Sequence, residues 1–258
     1  MRISHSIHTK TLTFALATAC MALAQPPGGG RGAMLGFGGG LGLGVFAEKT
    51  ITGAPFSAQQ NTQSQRILAN GNQIQRQEQA SIYRDSQGRV RIDASLSGGT
   101  QSSQTRTEIT IFDPVAGYVY RLNPQTMKGV QSPLRHNMQG ADRGVPSTNG
   151  NTDVQTQNLG TQTINGVAAT GTQVTHTIPA GTVGNTQPIQ IVRVTWVSTA
   201  LQIPVQVTRS DPRTGTVSMN LTNIVQSEPS ASLFVVPSGY TISPLPGRGR
   251  GGPQFRRP

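Results

Sequence analysis

Cysteine is almost missing from this chain: Cys20 is the only one, and it lies within the first 24 residues. No internal disulfide can form, and no thiol nucleophile or thiolate metal site is available beyond that point. Acidic side chains are scarce, ten in 258 residues, and Asp85, Asp113 and Asp211 sit beside turns, where a carboxylate bonds local backbone. Paired-carboxylate catalysis has few candidates. His136 and His176 stand alone, with no second ligand at metal spacing, so no metal site is expected. Neither a G-x-S-x-G elbow, an H-E-x-x-H pair nor a G-x-x-x-x-G-K-[ST] loop occurs. No catalytic residue and no cofactor is assigned. Long apolar runs are missing too, and beyond residue 24 no window has helical apolar spacing without Gly or Pro. Helices, membrane-spanning or amphipathic, are not expected there.

The first 24 residues read as an export signal, with Arg2 and Lys10 before the apolar run Thr11 to Ala22 and Ala22-Leu23-Ala24 as a small-residue cleavage site. A periplasmic or secreted protein is expected. The alternative is a lipobox at Leu16-Ala17-Thr18-Ala19-Cys20, which would anchor the chain to a membrane surface through Cys20. Residues 25–44 are rich in glycine, too costly in backbone entropy to order as a core element, and are read as a disordered spacer. A single antiparallel β domain is expected over 45–243, followed by a disordered Arg/Gly-rich tail over 244–258.

The formal charge of +11 belongs mostly to these ends. Between Val45 and Pro246 there are 14 basic residues against 10 acidic ones, which does not make a phosphate-binding groove. Nucleic acid is therefore not the expected partner of the folded part. Polyanion binding by the arginine-glycine ends is a separate alternative.

The middle of the chain reads as strands. Val217, Met219 and Leu221 alternate with Ser218, Asn220 and Thr222, as Ile203, Val205 and Val207 alternate with their polar neighbours. Asp211-Pro212-Arg213-Thr214-Gly215 joins these two runs with the chemistry of a type I turn and a left-handed exit. Trp196, Val194 and Val192 occupy a third run, Ile189 to Ser198, and the three strands are expected to offer one apolar surface. Earlier runs are expected at Lys49 to Gly53, Ala58 to Leu68 and Gln73 to Arg84, the last two joined at Asn70-Gly71-Asn72. Further strands are read at Thr107 to Phe112, Ala116 to Leu122, Gln155 to Ile164 and Val167 to Ile178, about twelve in all. Ser132 to Asp153 has no period and is read as a lid or a linker.

Two side-chain groups are candidates for binding. Across the turn Asp85-Ser86-Gln87-Gly88, direct pairing would set Arg84 against Arg89 and Ile82 against Arg91, gathering three arginines on one face. A solvated face with Asp93 as counter-charge is one reading, and an anion or lipid-headgroup site at Arg84, Arg89 and Arg91 the other. Tyr118, Tyr120, Val194, Trp196, Val205, Met219 and Leu221 are the expected lining of an apolar surface.

The order of Tyr83-Arg84-Asp85-Ser86-Gln87-Gly88-Arg89, Asp113-Pro114-Val115-Ala116-Gly117-Tyr118, Trp196 with Pro204, Asp211 to Gly215, and Phe234-Val235-Val236-Pro237-Ser238-Gly239-Tyr240 resembles a group of uncharacterised exported bacterial proteins. More distantly it is similar to the LolA/LolB-like carriers of lipoproteins. That resemblance implies a curved antiparallel sheet, a half-barrel whose concave apolar face holds an acyl chain under short helices. The sequence itself supplies no such helices. The combined expectation is a mainly β half-barrel that binds a hydrophobic ligand or a lipidated protein without catalysis. A structural or interaction module of the cell envelope, with no small-molecule ligand, is the alternative, and an outer-membrane barrel lacks its lipid-facing apolar bands.

Overall fold

The computed structural model describes residues 49–96, 106–134 and 153–245. The expected signal with Cys20, the glycine-rich spacer, His136 with most of its loop, and the tail beyond Leu245 lie outside the described residues. Among the described residues there are twelve strands, one 3-10 turn at Ala231–Phe234 and no α-helix. The strands are β1 (Phe56–Ile67), β2 (Gln73–Arg84), β3 (Val90–Leu96), β4 (Arg106–Asp113), β5 (Tyr118–Asn123) and β6 (Lys128–Pro133). They continue with β7 (Asp153–Ile164), β8 (Val167–Ile178), β9 (Ile189–Ser198), β10 (Pro204–Asp211), β11 (Gly215–Val225) and β12 (Thr241–Pro244). All twelve belong to one open sheet in the order β12-β6-β5-β4-β3-β2-β1-β11-β10-β9-β8-β7. Every pairing is antiparallel except β12 with β6.

The sheet is curved into a half-barrel. Asn165, in the β7–β8 turn, donates through its side chain to the Leu221 carbonyl of β11. Three strand spacings separate β8 from β11, about 14 Å in a flat sheet. Such a bond forms only if the sheet bends. Arg84 of β2 likewise reaches the Leu201 carbonyl in the β9–β10 loop at 2.8 Å.

Alternation decides which face is inside. Phe56, Ala58, Ala80, Ile82, Val90, Ile92, Phe112, Val119, Val205, Val207, Met219 and Leu221 are all buried in one cluster with Ile51, Leu201 and Ile203. Their cross-strand partners share the face: Ile82 opposes Ala58 and Ile92, Val207 opposes Met219, and Phe112 opposes Val90 and Val119. The reverse face of β1 and β11 carries Gln59, Asn61, Ser218, Asn220 and Thr222 and is polar. On β4 to β6 that reverse face turns apolar, and Ile109, Ile111 and Leu122 are covered there by Val236, Tyr240 and Ile242 of the C-terminal segment. Gly129 on β6 leaves the room, since a Cβ there would meet Ile242 and Leu122 at 2.6 Å.

Three expectations are corrected. Lys49 to Gly53 forms no strand, although Ile51 is buried in the core as an irregular segment. Lys128–Pro133 is a strand without any sequence alternation, because its partners Tyr118, Tyr120 and Leu122 on β5 dictate it. Residues 244 and 245, expected in the tail, are held on β6: Pro244 pairs with Gln131, and the Leu245 amide bonds the Gln131 carbonyl at 2.8 Å.

The Asp211 to Gly215 turn has the expected geometry. The Thr214 amide bonds the Asp211 carbonyl at 3.0 Å, and Gly215 exits at φ +98. A Cβ at Gly215 would also run into the Gln65 carbonyl of β1. Gly215→Ala is therefore expected to cost about 2 to 4 kcal/mol, strain and clash together. Gly181→Ala, at φ +82 in open space, should cost only about 1 kcal/mol. Urea denaturation of both variants checks the difference.

Candidate functional site

Two faces divide the side chains singled out from sequence. Val205, Met219 and Leu221 stand together on the concave face. Tyr118 and Tyr120 do not join them: Tyr120 opposes Ile111 on the reverse face, and its ring centroid lies 6.3 Å from that of Tyr118. Burial, the charge of Asp113 and the neighbouring Tyr118 push the Tyr120 hydroxyl above its usual value of 10.0. Trp196 and Val194 oppose Gln206 and Thr208, so the single apolar surface expected of β9, β10 and β11 is not formed. A bulge between Pro204 and Gln206 puts the two strands out of step, and the Trp196 ring instead covers Gly171 of β8. There it packs on the edge of the large cluster.

The arginine hairpin is corrected by one residue. Arg84 pairs with Val90, Tyr83 with Arg91 and Ile82 with Ile92, because the Asp85 amide closes the turn on the Arg89 carbonyl. A one-residue slip changes every face. Arg84 thus points into the core and Arg91 away from it. Arg89 bonds the Asp85 carboxylate at 2.6 Å and lies over the Phe234 ring at 5.3 Å. Arg91 holds Asp93 at 2.7 Å and the Leu233 carbonyl at 3.1 Å. These two arginines fasten the C-terminal segment to the sheet, and Glu228 adds a bond to the Ser86 amide at 3.1 Å.

Arg84 is a cation in the interior, 1% exposed. Its Nε and Nη2 donate to the Ala54 carbonyl at 2.8 and 2.6 Å, its plane covers the Phe56 ring at 4.8 Å, and Nη1 has no partner. Desolvation pulls its pKa down to about 10. At neutral pH it remains charged, a burden that the two carbonyls and the ring offset.

A second group of arginines was missed from sequence. Reading one row across the concave face gives Arg76 on β2, Ser64 on β1, Val217 on β11, Arg209 on β10, Arg193 on β9 and Val174 on β8. The next row inward is Glu78, Thr62, Met219, Val207, Thr195 and Thr172. One row further in, Ala80, Gln60 and Leu221 follow. The concave face therefore grades from a cationic rim to an apolar interior. The signal was present in β10, where Val205, Val207 and Arg209 keep one alternation. Among the described residues no group of three His, Cys, Asp or Glu side chains could hold a metal ion.

Fold and face together define a one-sided, curved antiparallel sheet of the half-barrel class. No family model matches the chain. No curated protein matches it either. Among solved structures it is similar to the MucA/MucB complex of Pseudomonas aeruginosa, with 11% identity, 78% of this chain and 62% of that chain covered, and a TM-score of 0.42. It is similar to the Mycobacterium tuberculosis lipoprotein LppX, with 14% identity, coverage of 69% and 90%, and a TM-score of 0.31. A LolA superfamily protein from Nitrosomonas europaea gives 9% identity, coverage of 74% and 94%, and a TM-score of 0.26. The chain spans only 62% of the length of the chain it matches in that complex.

Asp211 organises the edge of the rim. It is 1% exposed, accepts from the Arg213 amide and Nε at 3.0 Å each, and faces Arg209 at 3.5 Å. The bond from the Arg213 side chain is the main reason that its pKa falls below 3.8, against the opposing effect of burial. Its contribution to stability is complete above the unfolded value of about 3.9 and is lost as pH falls through the lowered folded value. Asp211→Asn should cost about 2 to 3 kcal/mol at pH 7. The gap between variant and wild type should close below pH 3.8 in urea titrations run across the acid range.

Proposed function

We propose that this is an exported, non-enzymatic binding protein that holds a hydrophobic ligand, or the lipid of a lipidated partner, against the concave face of its sheet. The observation that carries the reading is the continuity of that face. From Val119 on β5 to Val205 on β10, buried apolar side chains form one cluster, while the reverse face of β1 and β11 is polar. Among the described residues no α-helix covers it. A single layer of strands has to cover its apolar face, and here that cover is the sheet's own curvature with a few irregular segments, with no second layer of regular structure among the described residues. The small side chains Ala58, Ala80 and Ala94 and the flexible Met219 leave it adaptable.

The second reading is a structural module of the cell envelope without a ligand. Its support is the burial of the face within the chain itself, where Phe56, Ile82 and Val205 are fully enclosed. The two readings differ in what the purified protein carries and in what stabilises it. Mass spectrometry of organic extracts is expected to show copurified acyl chains. After delipidation, an acyl ligand supplied at 100 times its Kd should add about 2.7 kcal/mol and raise Tm by about 5 to 11 °C. Extracts free of acyl chains, with no shift in Tm, would establish the structural module instead.

A further inference from the structure

The rim of the concave face has a chemistry of its own. Arg193 on β9 lies directly opposite Arg209 on β10, with Val174 on its other side. Like charges facing one another across an antiparallel pair repel. His176 is on the same face, two residues along β8 from Val174, and its direct partners are Ile191 and Val154. Neither Arg193 nor His176 therefore has a carboxylate beside it in the register. The nearest acid along β10, Asp211, is engaged by Arg213 at 2.9 Å and by Arg209 at 3.5 Å.

Two atoms in this group are left over. Arg193 Nε and His176 Nδ1 are both shielded from solvent, and neither has a hydrogen-bond partner. A polar atom shut away from water without a partner carries a desolvation penalty that nothing in the chain repays. An oxyanion placed between these side chains would accept from Arg193 and separate its charge from that of Arg209. It would repay the penalty and relieve the repulsion at once.

The neighbouring row is mixed, with Thr195 inward of Arg193 and Thr172 inward of Val174, but it offers an apolar path on the β10 side: two residues inward from Arg209 is Val207, with Met219 opposite it and Val205 and Leu221 beyond. Resting on the proposed occupancy of the concave face, we propose that Arg193 and His176, with Arg209 opposite, hold the oxyanion head of an anionic amphiphile. Its chain runs inward past Val207 and Met219. Arg84, deeper in the same face, keeps its bonds to Ala54 and Leu201 and takes no part.

The test compares laurate, dodecanol and acetate as ligands of the delipidated full chain by isothermal titration. Laurate is expected to bind at least tenfold tighter than dodecanol, and acetate not to compete with it. Arg193→Gln should remove the preference for laurate and leave dodecanol binding as it was, while Arg193→Lys should keep most of the preference. Equal affinity for laurate and dodecanol in the wild type would overturn the head-group assignment and leave the apolar-face reading standing. Effective competition by acetate would reduce the site to one for a free anion and overturn the amphiphile. A full preference for laurate in Arg193→Gln would place the head elsewhere. If neither laurate nor dodecanol binds, both readings fall together.

Discussion

An open sheet with one apolar face has to hide that face, and here the sheet does so largely by bending around it. In a two-layer domain a helix or a second sheet would supply the cover. In this chain the described cover comes from irregular pieces: Ile51 and Ala54 before β1, and Leu201 and Ile203 between β9 and β10. Curvature brings these pieces within reach of strands that are far apart in the sheet, as the Arg84 and Asn165 bonds record. Bending also separates the two faces chemically. Where the C-terminal segment returns over β4 to β6 the reverse face becomes apolar and is covered.

Much of this is written in the alternation of residues. Val207 and Met219 show their inward side in the sequence because β10 and β11 pair regularly where those residues lie. The turns at Asn70-Gly71 and Asp211 to Gly215 were legible for a local reason, since positive φ at Gly71 and Gly215 is needed whatever the sheet does. Registers were harder. The Asp85 turn closes with the Asp85 amide on the Arg89 carbonyl, one step from the pairing that simple facing would give, and that step moves Arg91 to the other side. The bulge at Pro204 to Gln206 has the same effect on Trp196. Neither event leaves a mark in hydrophobic periodicity, because each depends on how two strands meet and not on either strand alone. β6 was invisible for a related reason: Gly129 and Val130 hold their places through β5 and β12.

The same limit explains why the cationic rim escaped notice. Arg76, Arg193 and Arg209 are separated by long stretches of sequence and meet only because β2, β1, β11, β10 and β9 are neighbours in that order. Arg84, Arg89 and Arg91 drew attention because they are close in sequence. Proximity along the chain was the wrong guide, since strand order, which places β1 between β2 and β11, is a tertiary property.

Arg84, Arg89 and Arg91 differ from Arg193 in what their donors hold. Arg89 and Arg91 each have a carboxylate and a further contact in the C-terminal segment, so their charge is spent on holding the chain to itself. Arg84 has no carboxylate, yet three of its donor bonds end on main-chain carbonyls, and a ring lies beneath it. Removing any of these three would leave the chain short of an internal bond. Arg193 closes no turn and ties down no segment in the described bonds, and it faces a second arginine. Selection for stability alone favours an uncharged residue at such a position, because burying a cationic donor without a partner costs free energy. A buried donor without a partner in the chain is explained when it meets an anion from outside, and Val207 and Met219 in the next row give a chain on that anion an apolar path.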